Sequence, residues 1–407
     1  MMKKILPLIF LIIAGELIFA LPFHVIRFFR PSLLEDYYYS NMEIGIAFSI
    51  YGITALLSYL PGGYIADKFS PKYLLFSSLL LTSLGGLFYM TKPSIYGLYF
   101  LFGYWGVTTI LFFWAALIKA TRSIAGNSQG VSFGALEAGR GLVASLCASI
   151  AVFVYSNSIL LDFLTNLTSI KFNPLSIVIF FYSFVTFLSS ILILFFFKEE
   201  KKQTSSIKIK YNILDIYNNK KPILCISIIV FSAYTCYKAI DYYSLYFYEI
   251  LEFSKEKSAY LMAMFSYTRP VAALLAGFIA DKITPKRCAK LLFFFLLMSY
   301  AFLSLFSIDN QITAIIYINL IITMIGVFAL RGIFYSLLED SHIPASITGA
   351  AVGIISFIGY LPDIFIGPLF GFLLDLNDIT ISFQIFFIFL ALISLLGLVI
   401  TMYLKKN

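Results

Sequence analysis

Apolar runs of about 20 residues, the length a helix needs to cross the hydrocarbon core of a bilayer, alternate with short polar breaks along the whole chain. They predict twelve spans, over 5–28, 42–66, 73–91, 95–119, 130–155, 174–197, 222–248, 257–280, 288–306, 312–338, 348–373 and 381–404. The ten-residue alternating segments that build a transmembrane barrel are not found in it. The pattern is that of an all-α membrane protein whose main environment is the lipid bilayer. Little chain is left for a separate soluble domain.

Composition agrees with the pattern. Of 407 residues, 60% are hydrophobic, 12% charged and 18% aromatic, and the mean hydropathy is +0.92. A water-soluble fold with that balance would expose large apolar surface. The net charge of +8 invites a nucleic-acid reading, but the cations are distributed by topology instead. Twelve spans place both termini on one side, with Lys3, Lys4, Lys68, Lys72, Lys119, Arg122, seven lysines within 198–221, Lys282, Lys286, Arg287, Lys290, Lys405 and Lys406. The opposite loops hold Arg27, Arg30, Lys92, Lys171, Lys255 and Lys257. The positive-inside rule makes the richer side cytoplasmic, so both termini are expected there, in a bacterial inner (plasma) membrane. No nucleic-acid partner is expected. The four cysteines, Cys147, Cys225, Cys236 and Cys288, stand singly, without disulfide or metal spacing. The first apolar run has no clean small-residue cleavage site, so it reads as the first span and not as a signal peptide.

The longest polar stretch, 198–221, reads as a cytoplasmic linker between an N-terminal six-helix half, 1–197, and a C-terminal half, 222–407. The halves read as repeats: GGYIADKFSPK at 62–72 and AGFIADKITPK at 276–286 share seven of eleven positions at an offset of 214. Six-span halves related by an axis along the membrane normal form a transporter architecture.

The repeated segment resembles the signature loop of the major facilitator superfamily, Gly-x-x-x-Asp-Arg/Lys-x-Gly-Arg-Arg/Lys, found between spans two and three and often echoed between spans eight and nine. The first copy supplies Gly63, Asp67, Lys68 and Lys72; the second supplies Gly277, Asp281, Lys282, Lys286 and Arg287. Pro71 and Pro285 stand at or beside the position of the second Gly, a departure from the pattern. The strings FALPFHVIRFFRP, FWAALIKATR and QGVSFGALEAGRG are similar to a bacterial branch grouped loosely with nitrate/nitrite porters. Arg269 fits that branch in span eight, while span two lacks the Arg expected there. The resemblance implies twelve helices as two six-helix repeats, alternating access and no cofactor.

Physically, Gly63 lets a neighbouring helix approach, and Asp67 favours the positive end of that helix. Asp67 with Lys68 and Lys72, and Asp281 with Lys282 and Lys286, are expected to form a conformational latch; a second copy argues against a merely solvated turn. Small residues at Gly130, Gly134, Gly349, Gly353, Gly367 and Gly371 permit close crossings, sliding or static.

Ionisable residues within spans are costly unless paired or hydrated. Four acids, Glu16, Glu137, Asp241 and Asp363, are candidates for proton coupling, and four bases, Arg140, Lys238, Arg269 and Arg331, for binding the solute. Glu137/Arg140 and Lys238/Asp241 are spaced i,i+3, within pairing reach on one helix face; self-neutralising pairs are the plain alternative. Arg269 precedes Pro270 and is the first choice for an anion clamp, by its planar fork. Arg27 is expected to snorkel to the outer interface, Tyr37 to Tyr39 to form an interfacial belt, and Lys119 and Arg122 to be cytoplasmic anchors.

The chain therefore reads as a secondary active transporter and not an enzyme. The expected cargo is a small polar solute, anionic or zwitterionic, moved by proton symport. Antiport of organic anions or phosphate esters is the alternative. A transporter-like sensor is a reading from another class, with only the short basic linker to dock a partner. No P-loop is present to bind ATP, and HExxH, GxSxG and metal-spaced Cys sets are likewise missing from the sequence. A monomer is expected.

Overall fold

The computed structural model describes residues 2–125, 129–157, 173–197, 213–305, 313–341, 343–344, 347–376 and 378–404, with isolated positions at 159, 162 and 166. Most of the linker, 198–212, lies outside the described residues. The described chain is helical throughout, and the fold is all-α. Eleven helices are long and apolar enough to cross a membrane, and a bent pair, Leu6–Leu17 with Ala20–Asp36, makes twelve when counted as one span.

The N-terminal spans are built from α1 (Met2–Leu17), α2 (Val25–Asp36), α3 (Asn41–Lys68), α4 (Pro71–Met90), α5 (Ile95–Thr109), α6 (Ala115–Ala125), α7 (Gln129–Ser156) and α8 (Pro174–Phe196). The later spans comprise α9 (Lys220–Ala239), α10 (Tyr243–Glu249), α11 (Lys255–Ser266), α12 (Thr268–Ile283), α13 (Pro285–Leu305), α14 (Thr313–Ile333), α15 (Thr348–Gly359), α16 (Pro362–Leu374) and α17 (Ile379–Tyr403).

The first span differs from expectation. It runs on to Asp36 and bends by 40° at the break after Leu17, where a π-helical turn, Ala20–His24, intervenes. Pro22 has no N–H for the helical ladder, and Pro31 removes another inside α2, where Phe29 leaves helical geometry (φ −122°, ψ 28°).

By contact density the chain divides into two compact units. The first comprises residues 1–202, 241–267 and 367–375. Within it α1 packs on α7 and α8, α4 on α8, and α3 on α5, around a core that includes Leu11, Ile18, Leu75, Phe113, Leu117 and Ile193. Two of its later segments dock on the N-terminal helices: α11 lies against α7 and α2, and α10 against α2. The last turns of α16 cross α3 so closely that a Cβ at Gly45 would collide with the carbonyl of Gly367, and one at Gly371 with that of Asn41. Glycine permits this approach. The N-terminus of α3 is closed by a capping box, Ser40 with Glu43, and by the Asp375 carboxylate, which accepts from the amides of Asn41 (3.0 Å) and Met42 (2.7 Å). A carboxylate there satisfies free N–H groups and complements the helix dipole.

The second unit comprises residues 203–240, 268–366 and 376–407. Within it α13 packs on α17, α12 on α14, and α9 on α17 and α15.

Candidate solute and proton site

Among the described residues, short segments within spans depart from α-helical winding: π turns at Ala20–His24 and Ile110–Trp114, and 3-10 turns at Ile240–Tyr242 and Phe334–Ser336. They fall in spans one, four, seven and ten. Such turns misalign the backbone ladder and recur at functional positions. Three of the eight ionisable residues singled out within spans, Lys238, Asp241 and Arg331, stand on or beside them, as do His24 and Arg27. His24 ends the first turn and Arg27 follows it; Asp241 is inside the third, with Lys238 just before it; Arg331 precedes the fourth.

In the first unit a buried cluster forms around Glu16. His24 Nε2 lies 3.2 Å from Glu16 Oε1, and Arg140 Nε donates to Glu16 Oε2 at 3.2 Å. Arg140 Nη1 donates to Glu137 at 2.7 Å, the i,i+3 contact that the spacing predicts. Glu16, His24 and Arg140 are all buried, whereas the Glu137 side chain is 50% exposed. The Arg140 guanidinium sits 5.6 Å from the Phe19 ring and 5.9 Å from Trp114, within cation–π range.

The same unit holds a second ion pair, Arg27 Nε to Asp241 Oδ1 at 2.6 Å, with side chains 6% and 1% exposed. Arg27 thus does not snorkel to the interface. The π turn and the kink at Phe29 rephase α2, so that Arg27 points inward. The separation of the two residues, 214, equals the offset of the duplicated loop. His24 and Lys238 are related by the same offset. Arg30 is fully buried: its Nε donates to Asn41 at 2.8 Å, and its guanidinium lies 4.1 Å over the Tyr242 ring. Lys255 bonds Glu35 (2.7 Å) and Asp36 (3.0 Å), and Tyr248 also reaches Glu35.

In the second unit Asp363 is the centre. Tyr234 donates to both its oxygens, at 3.0 and 2.9 Å, and Lys238 Nζ lies 3.4 Å from Oδ1. Tyr335 bonds Ser356 (2.8 Å) and Tyr360 (3.1 Å), and the Arg331 guanidinium covers the Tyr237 ring at 4.0 Å. Arg269 is buried in the first turn of α12. The unit therefore collects Lys238, Asp363, Arg331 and tyrosine hydroxyls, groups able to bind a polar solute by charge and hydrogen bonds.

The signature-loop residues have a different setting. Asp67, Lys68, Asp281 and Lys282 are exposed, and Lys72 and Lys286 are half-buried. Lys68 stacks on Tyr64, and Lys286 donates to the Leu404 carbonyl. Lys119 donates to the carbonyls of Ala66 (2.6 Å) and Asp67 (3.4 Å), which closes the end of α3. A Cβ at Gly63 or Gly277 would meet nothing within 4 Å; the close approach is at Gly62, against Leu111. Gly130, Gly134 and Gly349 have surroundings outside the described residues. Of the expected tyrosine belt only Tyr38 is exposed, at 85%. Tyr37 is buried beside Ser176; burial pushes its phenol up to about 12, with nearby Asp36 adding to the rise and the Ser176 hydrogen bond opposing it, and Tyr39 donates to the Pro93 carbonyl.

Sequence reasoning missed His24, Arg27 and Arg30 as parts of the buried network. The usable signal was the offset of 214 applied to charged residues, which aligns Arg27 with Asp241 and His24 with Lys238.

Comparisons with known proteins agree with this architecture. The family model described as Major Facilitator Superfamily matches residues 12–366. Inner membrane protein YihN of Escherichia coli (strain K12) is 28% identical over 98% of this chain and 94% of its own length. Inner membrane protein YqcE of the same organism is 29% identical over 82% and 79%. Among solved structures, a bacterial homolog of the human lysosomal transporter Spinster, in an inward-facing, occupied conformation, superposes with a TM-score of 0.79 at 13% identity, over 99% of this chain and 96% of that one. The nucleoside transporter NupG superposes at 0.73 and 12% identity, over 99% and 100%. At these identities the structural likeness speaks to the fold alone.

Proposed function

Because the chain belongs to the Major Facilitator Superfamily, and is an integral membrane transporter and not an enzyme, we propose that it moves a small anionic or zwitterionic solute across the bacterial inner membrane by proton symport. The observation that carries this reading is that buried, paired charges stand at the irregular turns of spans one and seven. A buried ion pair is seldom a net source of stability, so pairs retained there are suited to being exchanged during a transport cycle. The inner-membrane relatives support the location.

In this reading Arg27 and Asp241 form an exchangeable pair. A proton on Asp241 removes the charge that holds Arg27, and the released guanidinium turns to the solute's anionic group. Asp363 stands in the same relation to Lys238, since protonation would leave the ammonium without its carboxylate. Glu16 and Glu137 share Arg140 in the same way. Arg269 and Arg331 add fixed positive charge, and an Arg fork suits carboxylate or phosphate geometry. Six-helix halves, 1–197 and 222–407, would alternate access around the linker, with both termini cytoplasmic and the monomer sufficient. Asp67 and Asp281, with their Gly and Lys neighbours, would latch the cytoplasmic side in the state opposite to the one in which they are exposed.

The test uses purified protein in liposomes loaded with a pH-sensitive dye and challenged in turn with amino acids, organic acids, sugar phosphates, nitrate and neutral sugars. One solute class is expected to acidify the lumen, and Arg269→Ala to abolish the signal. Labelled solute that exchanges only against preloaded solute, with no proton movement for any class, would establish antiport and overturn symport.

A further inference from the structure

The Glu16 carboxylate is divided between two partners of different kinds. One oxygen meets His24, the other Arg140. Glu16 and His24 are eight residues apart, which in a continuous helix would separate them by about 12 Å along the axis. The 40° break after Leu17 and the π turn bring them into contact. Such a contact joins a group that titrates near neutral pH to a group that is always charged.

We infer that His24 is the proton acceptor that governs Arg140: a proton on the imidazole draws the Glu16 carboxylate from the guanidinium and frees Arg140 for the anionic group of a solute. This rests on the reading of the chain as a proton-coupled transporter. An ionised carboxylate only accepts hydrogen bonds, so in the neutral ring Nε2 carries the hydrogen that points at Glu16. The ring's other nitrogen, Nδ1, holds the lone pair that takes the incoming proton when water reaches the buried ring during the cycle. The imidazolium then attracts Glu16 as a full charge, in surroundings where burial strengthens the attraction, and it repels the nearby guanidinium. Arg140 retains Glu137, half-exposed and weakened by water, and the faces of Phe19 and Trp114.

The groups that face His24 fit this assignment. Glu16 comes from α1, with Arg140 of α7 on its other carboxylate oxygen and Cys147 of the same helix near it, and Tyr182 comes from α8, its ring 5.8 Å from the imidazole. Arg27 follows on the same strand of chain, and Phe28 packs edge-on at 5.7 Å. α4 meets the turn through Gly86, against Leu21. Tyr182 brings a phenol and Cys147 a thiol, so among these groups Glu16 supplies the carboxylate, and Arg140 and Arg27 the positive charge.

The chain has two histidines, His24 and His342, so His342→Asn leaves one imidazole to observe. The protein, purified without a polyhistidine tag and placed in lipid nanodiscs, is labelled with 15N-histidine and titrated by NMR from pH 4.5 to 9. A single His24 titration is expected. Glu16→Gln is expected to lower its proton affinity at least tenfold, and Arg140→Gln to raise it at least threefold, by removing the competitor for the carboxylate. Glu137→Gln, at a half-exposed position where folding is not at risk, is expected to lower it about threefold, because Arg140 then turns wholly to Glu16. A ring that holds one protonation state throughout, or whose affinity ignores both Arg140→Gln and Glu137→Gln, is a packing residue and overturns the inference. If no solute drives protons in the liposome assay while these titrations move as stated, the transport reading fails and the linkage stands. If protons do cross and His24 does not titrate, the linkage fails and the transport reading stands.

Discussion

At the scale of residues, the pair Arg27–Asp241 has the largest consequences. Both side chains are almost wholly buried, and deleting one member of such a pair leaves a charge with its partner gone, at a cost of about 3–5 kcal/mol. Asp241→Asn is therefore expected to lower the thermal unfolding temperature in detergent clearly. Arg27→Gln combined with Asp241→Asn should recover part of the loss, since the combination leaves no stranded charge. A double variant whose loss equals the sum of the two single losses would show that the pair is not coupled. Residue-level reading of the sequence found Glu137–Arg140, because i,i+3 spacing is local. It could not place Arg27, because which way α2 faces depends on a π turn and a proline kink that hydrophobic periodicity does not encode.

At the scale of elements, the crossing of α3 and α16 depends on backbone contact at Gly45, Gly367 and Gly371. Gly367→Ala introduces a methyl 2.6 Å from the Gly45 carbonyl, and overpacking of this kind costs about 1–3 kcal/mol; Gly63→Ala, facing open space, should cost much less. Unfolding midpoints of the two variants check the contrast. The capping of α3 adds a second expectation: Asp375→Ala should weaken its first turn by about 1 kcal/mol, read as faster hydrogen exchange at Asn41 and Met42. The spans themselves were legible, since bilayer thickness fixes the length of each apolar run. The small residues of α16 were legible as a motif, but not their partner, because a glycine pattern does not say which helix comes close. The same limit applies to the signature loop, where the pattern points to Gly63 and the close approach is at Gly62.

At the scale of the whole molecule, the duplicated loop and the offset of 214 connect sequence to function. The repeat was visible in eleven residues, yet its sharper use, aligning His24 with Lys238 and Arg27 with Asp241, required the contact to be seen. The asymmetry of Lys and Arg among the loops predicts that Tyr38→Cys, at an exposed position, reacts with a membrane-impermeant maleimide on intact cells. Phe69→Cys, also exposed, should react only after permeabilisation; the reverse result would invert the topology.

The central claim is that solute and proton movement are joined through buried carboxylates. It is tested most directly by measuring, in the same liposomes, labelled-solute exchange and lumen acidification for the wild-type protein and Asp241→Asn. The account predicts that Asp241→Asn still exchanges solute across the membrane but no longer acidifies the lumen or accumulates solute against a gradient. Acidification by Asp241→Asn equal to that of the wild type, at equal exchange, would contradict it.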